Sequence, residues 1–265
     1  MSSVVFLGFA ALFGLAIGSF LNVVIDRLPA GRPIVKGRSQ CDSCGHTLGP
    51  WDLAPVASYL ALRGRCRYCG AAIPRRILLV EAANGLLYAF AVGLYGATPL
   101  SLITMAYLSI LIVVFVIDLE RQLILNVVTL PSIALALAAA PWGPVGGGSL
   151  SLKDAYLDAA YGAALGGAVL LLIYLGALFI MRREALGLGD VKLGALLGVM
   201  LGFVPTVVTL DIAFVGGGLL ALGLWLFKVR RPGEYIPFGP FLVGAAVVSL
   251  FWGQALFDWY WALFG

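Results

Sequence analysis

Long apolar runs, broken by charge, proline or glycine, set the pattern of this chain from end to end. Eight of them are long enough, at roughly 20 residues each, to be read as membrane-crossing helices: 4–25, 77–96, 99–118, 123–140, 157–181, 190–205, 207–227 and 238–263. The sixth is short, and only Pro205 separates it from the seventh. No basic stretch precedes the first run, which is long enough to span, so it reads as a retained helix and not as a cleaved signal. The pattern predicts an all-α polytopic membrane protein of about eight helices. It forms one domain over 1–265, with a polar insertion at 27–76 between the first and second spans.

Composition agrees with that reading. Hydrophobic residues make up 62% and charged residues 11% of the 265 positions, with a mean hydropathy of +1.02. Soluble domains carry about a quarter charged residues. A net charge of +4 is explained by topology and not by nucleic-acid binding. With the N-terminus outside, only Lys153 of the 17 lysines and arginines falls on the outer side, as expected when cytoplasmic segments collect basic residues. The outer connection around Gly146-Gly147-Gly148 reads as a flexible link. Small-residue pairs four apart (Gly14 with Gly18, Gly162 with Gly166, Gly194 with Gly198 and Gly202) are expected to be close-packing surfaces.

All four cysteines lie in the polar insertion, as Cys41-Asp42-Ser43-Cys44-Gly45 and Cys66-Arg67-Tyr68-Cys69-Gly70, with 21 residues between Cys44 and Cys66. Two CxxC pairs, each followed by a glycine that permits a tight turn, suit a tetrahedral Zn²⁺ held by Cys41, Cys44, Cys66 and Cys69. Disulfides or free thiols are the alternative, and a cytoplasmic location argues against disulfides. His46 could replace one ligand, but four cysteines suffice. Four protein ligands leave no open position for a catalytic water, so the zinc is expected to be structural.

Two acids stand out because a carboxylate at membrane depth is costly. Asp118 closes the third run, and Asp190 opens the sixth within Gly187-Leu188-Gly189-Asp190. In the orientation above both lie near the inner face, where they are expected to meet. Paired carboxylates share a proton, one serving as base toward water and the other as acid toward the scissile carbonyl, which is aspartic-protease chemistry. The helix dipole favours the charged form of Asp190, leaving the shared proton on Asp118, although the pair titrates as a unit. Gly187 and Gly189 remove side chains so that a substrate backbone or the third helix could approach. The alternative is that each acid caps a helix at the interface, with Asp118 paired to Arg121 or Lys192. Asp26, Asp211 and Asp258 read as interfacial or packing residues.

In their order along the chain these features resemble the type IV prepilin peptidases, membrane aspartic peptidases of the GxGD class. The resemblance rests on Gly18-Ser19-Phe20-Leu21-Asn22-Val23-Val24-Ile25-Asp26-Arg27-Leu28-Pro29, the two CxxCG pairs, Pro74-Arg75-Arg76, Glu81, Asp118, Gly187-Leu188-Gly189-Asp190-Val191-Lys192-Leu193, and Ile236-Pro237-Phe238-Gly239-Pro240. It implies cleavage of the basic leader of prepilins or pseudopilins after a glycine, at the cytoplasmic face of the bacterial inner membrane, with Asp118 and Asp190 catalytic and Lys192 in the supporting motif. It also implies N-methylation of the new terminus with S-adenosylmethionine, for which the sequence offers no phosphate-binding glycine fingerprint. Ile124-Leu125-Asn126 and Asp26 depart from the family's usual residues. The segment Ile236 to Pro240 could hold a substrate extended, since its prolines cannot complete a helical ladder; proline at a helix's first turn is the simpler account. The rival functions are a proton or cation transporter built on the two acids, disfavoured because no halves repeat, and a non-catalytic membrane module that binds partners through the zinc loop.

Overall fold

In the computed structural model, the residues described are 2–145, 151–182, 186–227 and 237–263. They form helices in the order α1 (Ser2–Arg27), α2 (Ala57–Ala61), α3 (Arg75–Tyr95), α4 (Pro99–Arg121), α5 (Asn126–Ala139), α6 (Leu152–Gly176), α7 (Leu188–Leu201), α8 (Phe203–Leu226) and α9 (Gly239–Ala262), with no strand among the described residues. Two compact units emerge, Met1–Val113 and Val114–Gly265, whose boundary falls inside α4.

Among the described residues six helices, α1, α3, α4, α6 (extended to Ile180), α8 and α9, are long and apolar enough to cross a membrane, where the sequence pattern predicts about eight. The runs 123–140 and 190–205 yield α5 and α7, each of 14 residues. At 1.5 Å per residue such helices reach only about 21 Å, against a hydrocarbon core of about 30 Å. The expected break at Pro205 also moves. Gly202, at φ +81°, turns the chain between α7 and α8, and Pro205 sits in the first turn of α8, where its missing N–H removes no helical bond. Asp158 Oδ1 accepts the backbone N–H of Phe203 at 3.0 Å and so supplies the missing cap of α8.

In the first unit, α1 and α3 touch through their backbones. A methyl group at Gly14 would come 2.8 Å from the Asn84 carbonyl oxygen, and one at Gly18 would come 2.8 Å from Glu81 Cα. That contact places Asn84 where no solvent reaches it, and both ends of its amide group find a partner. Asn84 Nδ2 donates to the Gly14 carbonyl at 2.7 Å, and its Oδ1 accepts from Ser109 Oγ at 3.2 Å. Tyr88 completes the network by a 2.8 Å hydroxyl bond to Ser109. The polar segment between α1 and α3 is tied down by Arg27, whose guanidinium donates to the carbonyls of Pro33 and Lys36 at 3.1 and 2.8 Å.

The second unit repeats the small-residue logic more tightly. Gly162 and Gly166 of α6 lie directly against Gly198 and Gly194 of α7, so that a methyl on any of the four would overlap the opposing backbone. α5 packs on α7, and α8 packs on α9. The outward surfaces stay apolar, with Leu172, Leu219 and Leu226 all exposed, and Trp259, Tyr260 and Trp261 crowd the end of α9, as at a bilayer interface.

Candidate active site and cysteine cluster

The helix ends of the second unit converge on two acids. Asp118 lies in the last turn of α4, which stops where Gln122 takes a left-handed φ of 56° and sends the chain out toward α5. Asp190 lies in the first turn of α7, where its Oδ2 accepts the backbone N–H of Gly187 at 3.1 Å. Both residues are buried, at 5% and 3% exposure, and the charge of Asp190 reaches the Asp118 carboxyl group. Among the described residues neither has a cationic partner within salt-bridge distance. The pairing of Asp118 with Arg121 or Lys192, open on the sequence, is therefore not formed. Lys192 Nζ donates instead to Asn126 Oδ1 at 2.9 Å.

Glycines let these groups meet. Gly239, the first residue of α9, donates its backbone N–H to Asp118 and leaves no room for a side chain, which would run into the carboxylate. Gly189 is approached by Ile124, in the connection between α4 and α5: a methyl there would lie 3.0 Å from Ile124 Cβ. Gly187 has an extended backbone that any residue can adopt, so its contribution is the amide it gives Asp190. Phe238 stacks on Phe214 with ring centroids 5.2 Å apart, and Pro240 occupies the first turn of α9. Pro237 precedes that turn, while Ile236 lies outside the described residues. Ile124 and Asn126, which sequence reasoning noted only as departures from a pattern, contact the Gly189 and Lys192 positions. The available signal was a polar Asn at the head of an apolar run.

The four cysteines also come together. Each pair sits in the same knuckle. In one, Gln40 bridges Thr47, the Gly45 amide donates to the Cys41 carbonyl at 2.8 Å, and Gly45 takes φ +68°. In the other, Arg65 bridges Ala72, Gly70 donates to Cys66 at 2.9 Å, and Gly70 takes φ +73°. The four sulfurs lie within 4.8 Å of one another, with Cys41 and Cys69 at 3.8 Å. Metal–sulfur bonds of about 2.3 Å in a tetrahedron require sulfurs roughly 3.8 Å apart. His46 is exposed and packs against Tyr68, with ring centroids 3.6 Å apart and planes tilted by 32°, a contact between the two knuckles. The amides of Cys44 and Ser43 hold the Cys41 thiol down at about 7. Cys69 rises to about 12 although the Ala71 amide draws it down, because desolvation and the three other sulfurs oppose a further negative charge. The cluster of four sulfurs at this spacing fits a metal ion. Beside it, the Gly49 amide and the Arg67 guanidinium keep Asp52 below the usual carboxylate range.

Comparison with known proteins gives this geometry a context. The profile described as Bacterial Peptidase A24 N-terminal domain matches residues 12–95, and that of the Type IV leader peptidase family matches residues 105–222. A prepilin leader peptidase/N-methyltransferase of Burkholderia pseudomallei (strain 1026b) is 34% identical, over 95% of this chain and 87% of its own. The chain belongs to the type IV leader peptidase family. Proteins of the same name from Pseudomonas putida and Aeromonas hydrophila are 33% and 34% identical, over 97% and 94% of the chain and 94% and 91% of their own lengths. No solved structure matches the chain. As a leader peptidase family member with six helices long and apolar enough to cross, it is a multi-pass membrane protein.

Proposed function

We propose that this chain is a membrane aspartic endopeptidase that removes the leader of type IV prepilins or pseudopilins after a glycine and then N-methylates the new terminus. The observation that carries the peptidase half is the pair of buried carboxylates, Asp118 and Asp190, the charge of Asp190 reaching Asp118, with no cationic partner for either among the described residues. Such a pair holds one proton across two sites. The ionised acid takes a proton from water as it attacks the scissile carbonyl, and the protonated one donates to the carbonyl oxygen. Gly187 and Gly239 fix the two acids through backbone amides, and Lys192 acts through Asn126. Pro237, Phe238 and Pro240, adjoining Gly239, are placed to hold the substrate extended.

The whole of 1–265 works as one peptidase in the bacterial inner membrane, with 27–76 inserted on its cytoplasmic side. The distribution of lysine and arginine supports this orientation, with the N-terminus outside and the acids toward the cytoplasm. A prepilin suits it: a hydrophobic helix lies in the bilayer and its basic leader meets the inner face. The transporter reading finds no support, since the relatives carry peptidase and methyltransferase names. Co-expressed with a prepilin, the wild-type protein shortens it after a glycine and adds one methyl group to the new N-terminus, read by gel mobility and intact mass. An unchanged prepilin of each candidate type would overturn the proposal.

Cys41, Cys44, Cys66 and Cys69 hold a structural Zn²⁺. Replacing Cys44 with Ser, or treating the protein with a strong chelator, releases the metal and makes the 27–76 segment sensitive to limited proteolysis, since the two knuckles are joined through the metal. Equal metal content in the Cys44→Ser protein would remove that residue from the ligand set.

A further inference from the structure

Methyl transfer needs a place that the aspartate pair does not provide, and the first unit contains a cavity of about 730 Å³ between the ends of α1 and α3 and the cysteine segment. Its volume is in the range of sites that enclose a ligand of cofactor size, about 300–1,000 Å³. One wall is the apolar flank of α1, through Ala16, Phe20 and Val23, and the opposite wall is the polar segment that includes Cys41 and Cys66. A hydrophobic helix that ends in a charged amine meets both environments there.

The charges in the cavity are unevenly satisfied. Asp26 pairs with Arg76 at 2.7 Å and Asp52 with Arg67 at 2.7 Å. Glu81, in the second turn of α3, is 5% exposed and has no cationic partner among the described residues; its Oε2 accepts the Val56 backbone N–H at 2.7 Å, and Ser19 supplies a further hydrogen bond. A buried carboxylate held only by neutral donors attracts a cation. Asn22 lines the same cavity. Its Nδ2 donates to the carbonyls of Gly18 and Ile77 at 3.3 and 3.1 Å, and its buried Oδ1 has no partner. That unpaired acceptor fits a donor-rich ligand such as the nucleoside part of S-adenosylmethionine.

Building on the methyltransferase half of the proposed function, we infer that this cavity is the methyl-transfer site and that Glu81 binds the α-ammonium of the freshly cleaved pilin. S-adenosylmethionine supplies a methyl group on a positively charged sulfur. Glu81 orients the ammonium and accepts its proton, freeing the nitrogen lone pair. The new N–C bond then forms as the S–C bond breaks, and the sulfur departs as a neutral thioether with that electron pair. Asn22 accepts a hydrogen bond from the methyl donor.

The test uses the full-length, detergent-solubilised protein with two titrated probes: S-adenosylmethionine alone, and a synthetic apolar peptide with a free α-amine, beside its N-acetylated form. Thermal unfolding of each variant verifies the fold. In Glu81→Gln, free-amine peptide binding falls about ten- to a hundredfold, the loss expected of a charge-assisted hydrogen bond, and S-adenosylmethionine binding stays within about twofold. Glu81→Asp recovers part of the peptide affinity, and the acetylated peptide binds wild type and Glu81→Gln alike. Ser39→Trp, which fills the cavity from a position on the polar segment outside the helices, weakens S-adenosylmethionine binding about tenfold or more. Unchanged peptide affinity in Glu81→Gln, loss of S-adenosylmethionine binding with peptide affinity retained, or wild-type binding of both probes by Ser39→Trp would each overturn the assignment. A wild-type protein that binds no S-adenosylmethionine would remove the methyltransferase reading along with it.

Discussion

Asp118→Asn and Asp190→Asn each reduce cleavage of a co-expressed prepilin by at least about a hundred- to ten-thousandfold, the range expected when a positioned acid or base is lost. Asparagine keeps the volume and much of the hydrogen bonding of aspartate, so both variants insert and fold. The carboxamide oxygen introduced by Asp190→Asn can still accept the Gly187 amide, and the one introduced by Asp118→Asn can still accept that of Gly239. What vanishes is the shared proton. On the proposed mechanism the acids act as one unit, so the double variant is expected to be no slower than the worse single variant within a few-fold, a non-additivity that two independent helix caps would not show. The readout is gel mobility of the prepilin after membrane insertion of each variant has been verified. Full processing by either protein would strike that acid from the mechanism.

Gly198→Ala destabilises the protein by about 1–3 kcal/mol, and Gly223→Ala leaves it unchanged or slightly more stable. Alanine is the better helix former, so propensity alone favours both substitutions by up to about 1 kcal/mol. Space reverses the sign at one of them. A methyl group at Gly198 overlaps the Gly162 carbonyl, which is backbone and cannot swing aside, whereas nothing lies within 4 Å of one at Gly223. Overpacking of this kind costs about 1–3 kcal/mol, and relief requires α6 and α7 to separate. Asp190 rides on the first turn of α7, so the separation also misplaces a carboxylate. Thermal unfolding in detergent measures the first effect and leader cleavage the second. A Gly198→Ala protein as stable as wild type would mean that the seam yields easily.

Much of this architecture was legible from hydropathy, because an apolar run long enough to span has few alternatives. The run 99–118 became α4 at Pro99–Arg121, and 238–263 became α9 at Gly239–Ala262. The two overlong readings share a cause. Leu123, Ile124 and Leu125 are apolar but belong to a connection, and Phe203 and Val204 continue the apolar run of α7 across a left-handed glycine. Hydropathy registers the solvent a residue prefers and is blind to a change of chain direction within that solvent. Asp118 and Asp190 were conspicuous because charge inside an apolar run is expensive, and the cysteines because their spacing repeats. Glu81 gave the same signal, a carboxylate within the apolar run 77–96, and Asn22 a weaker one, but neither spacing nor charge tells that the two meet. Each ends up in a cavity wall because α1 and α3 approach closely at Gly14 and Gly18, a contact between segments far apart in sequence.

The two 14-residue helices have a consequence for the solvent. A helix of about 21 Å beside a slab of about 30 Å leaves a deficit of about 9 Å, which the surroundings make up by thinning the lipid or admitting water. Asp190 heads one of these helices, and the other begins only a few residues beyond Asp118. Every peptide bond hydrolysed consumes a water molecule, a reagent that a full-thickness bilayer withholds. On the proposed mechanism, two helices that stop short near Asp118 and Asp190 would leave that reagent a shorter apolar path to the acids.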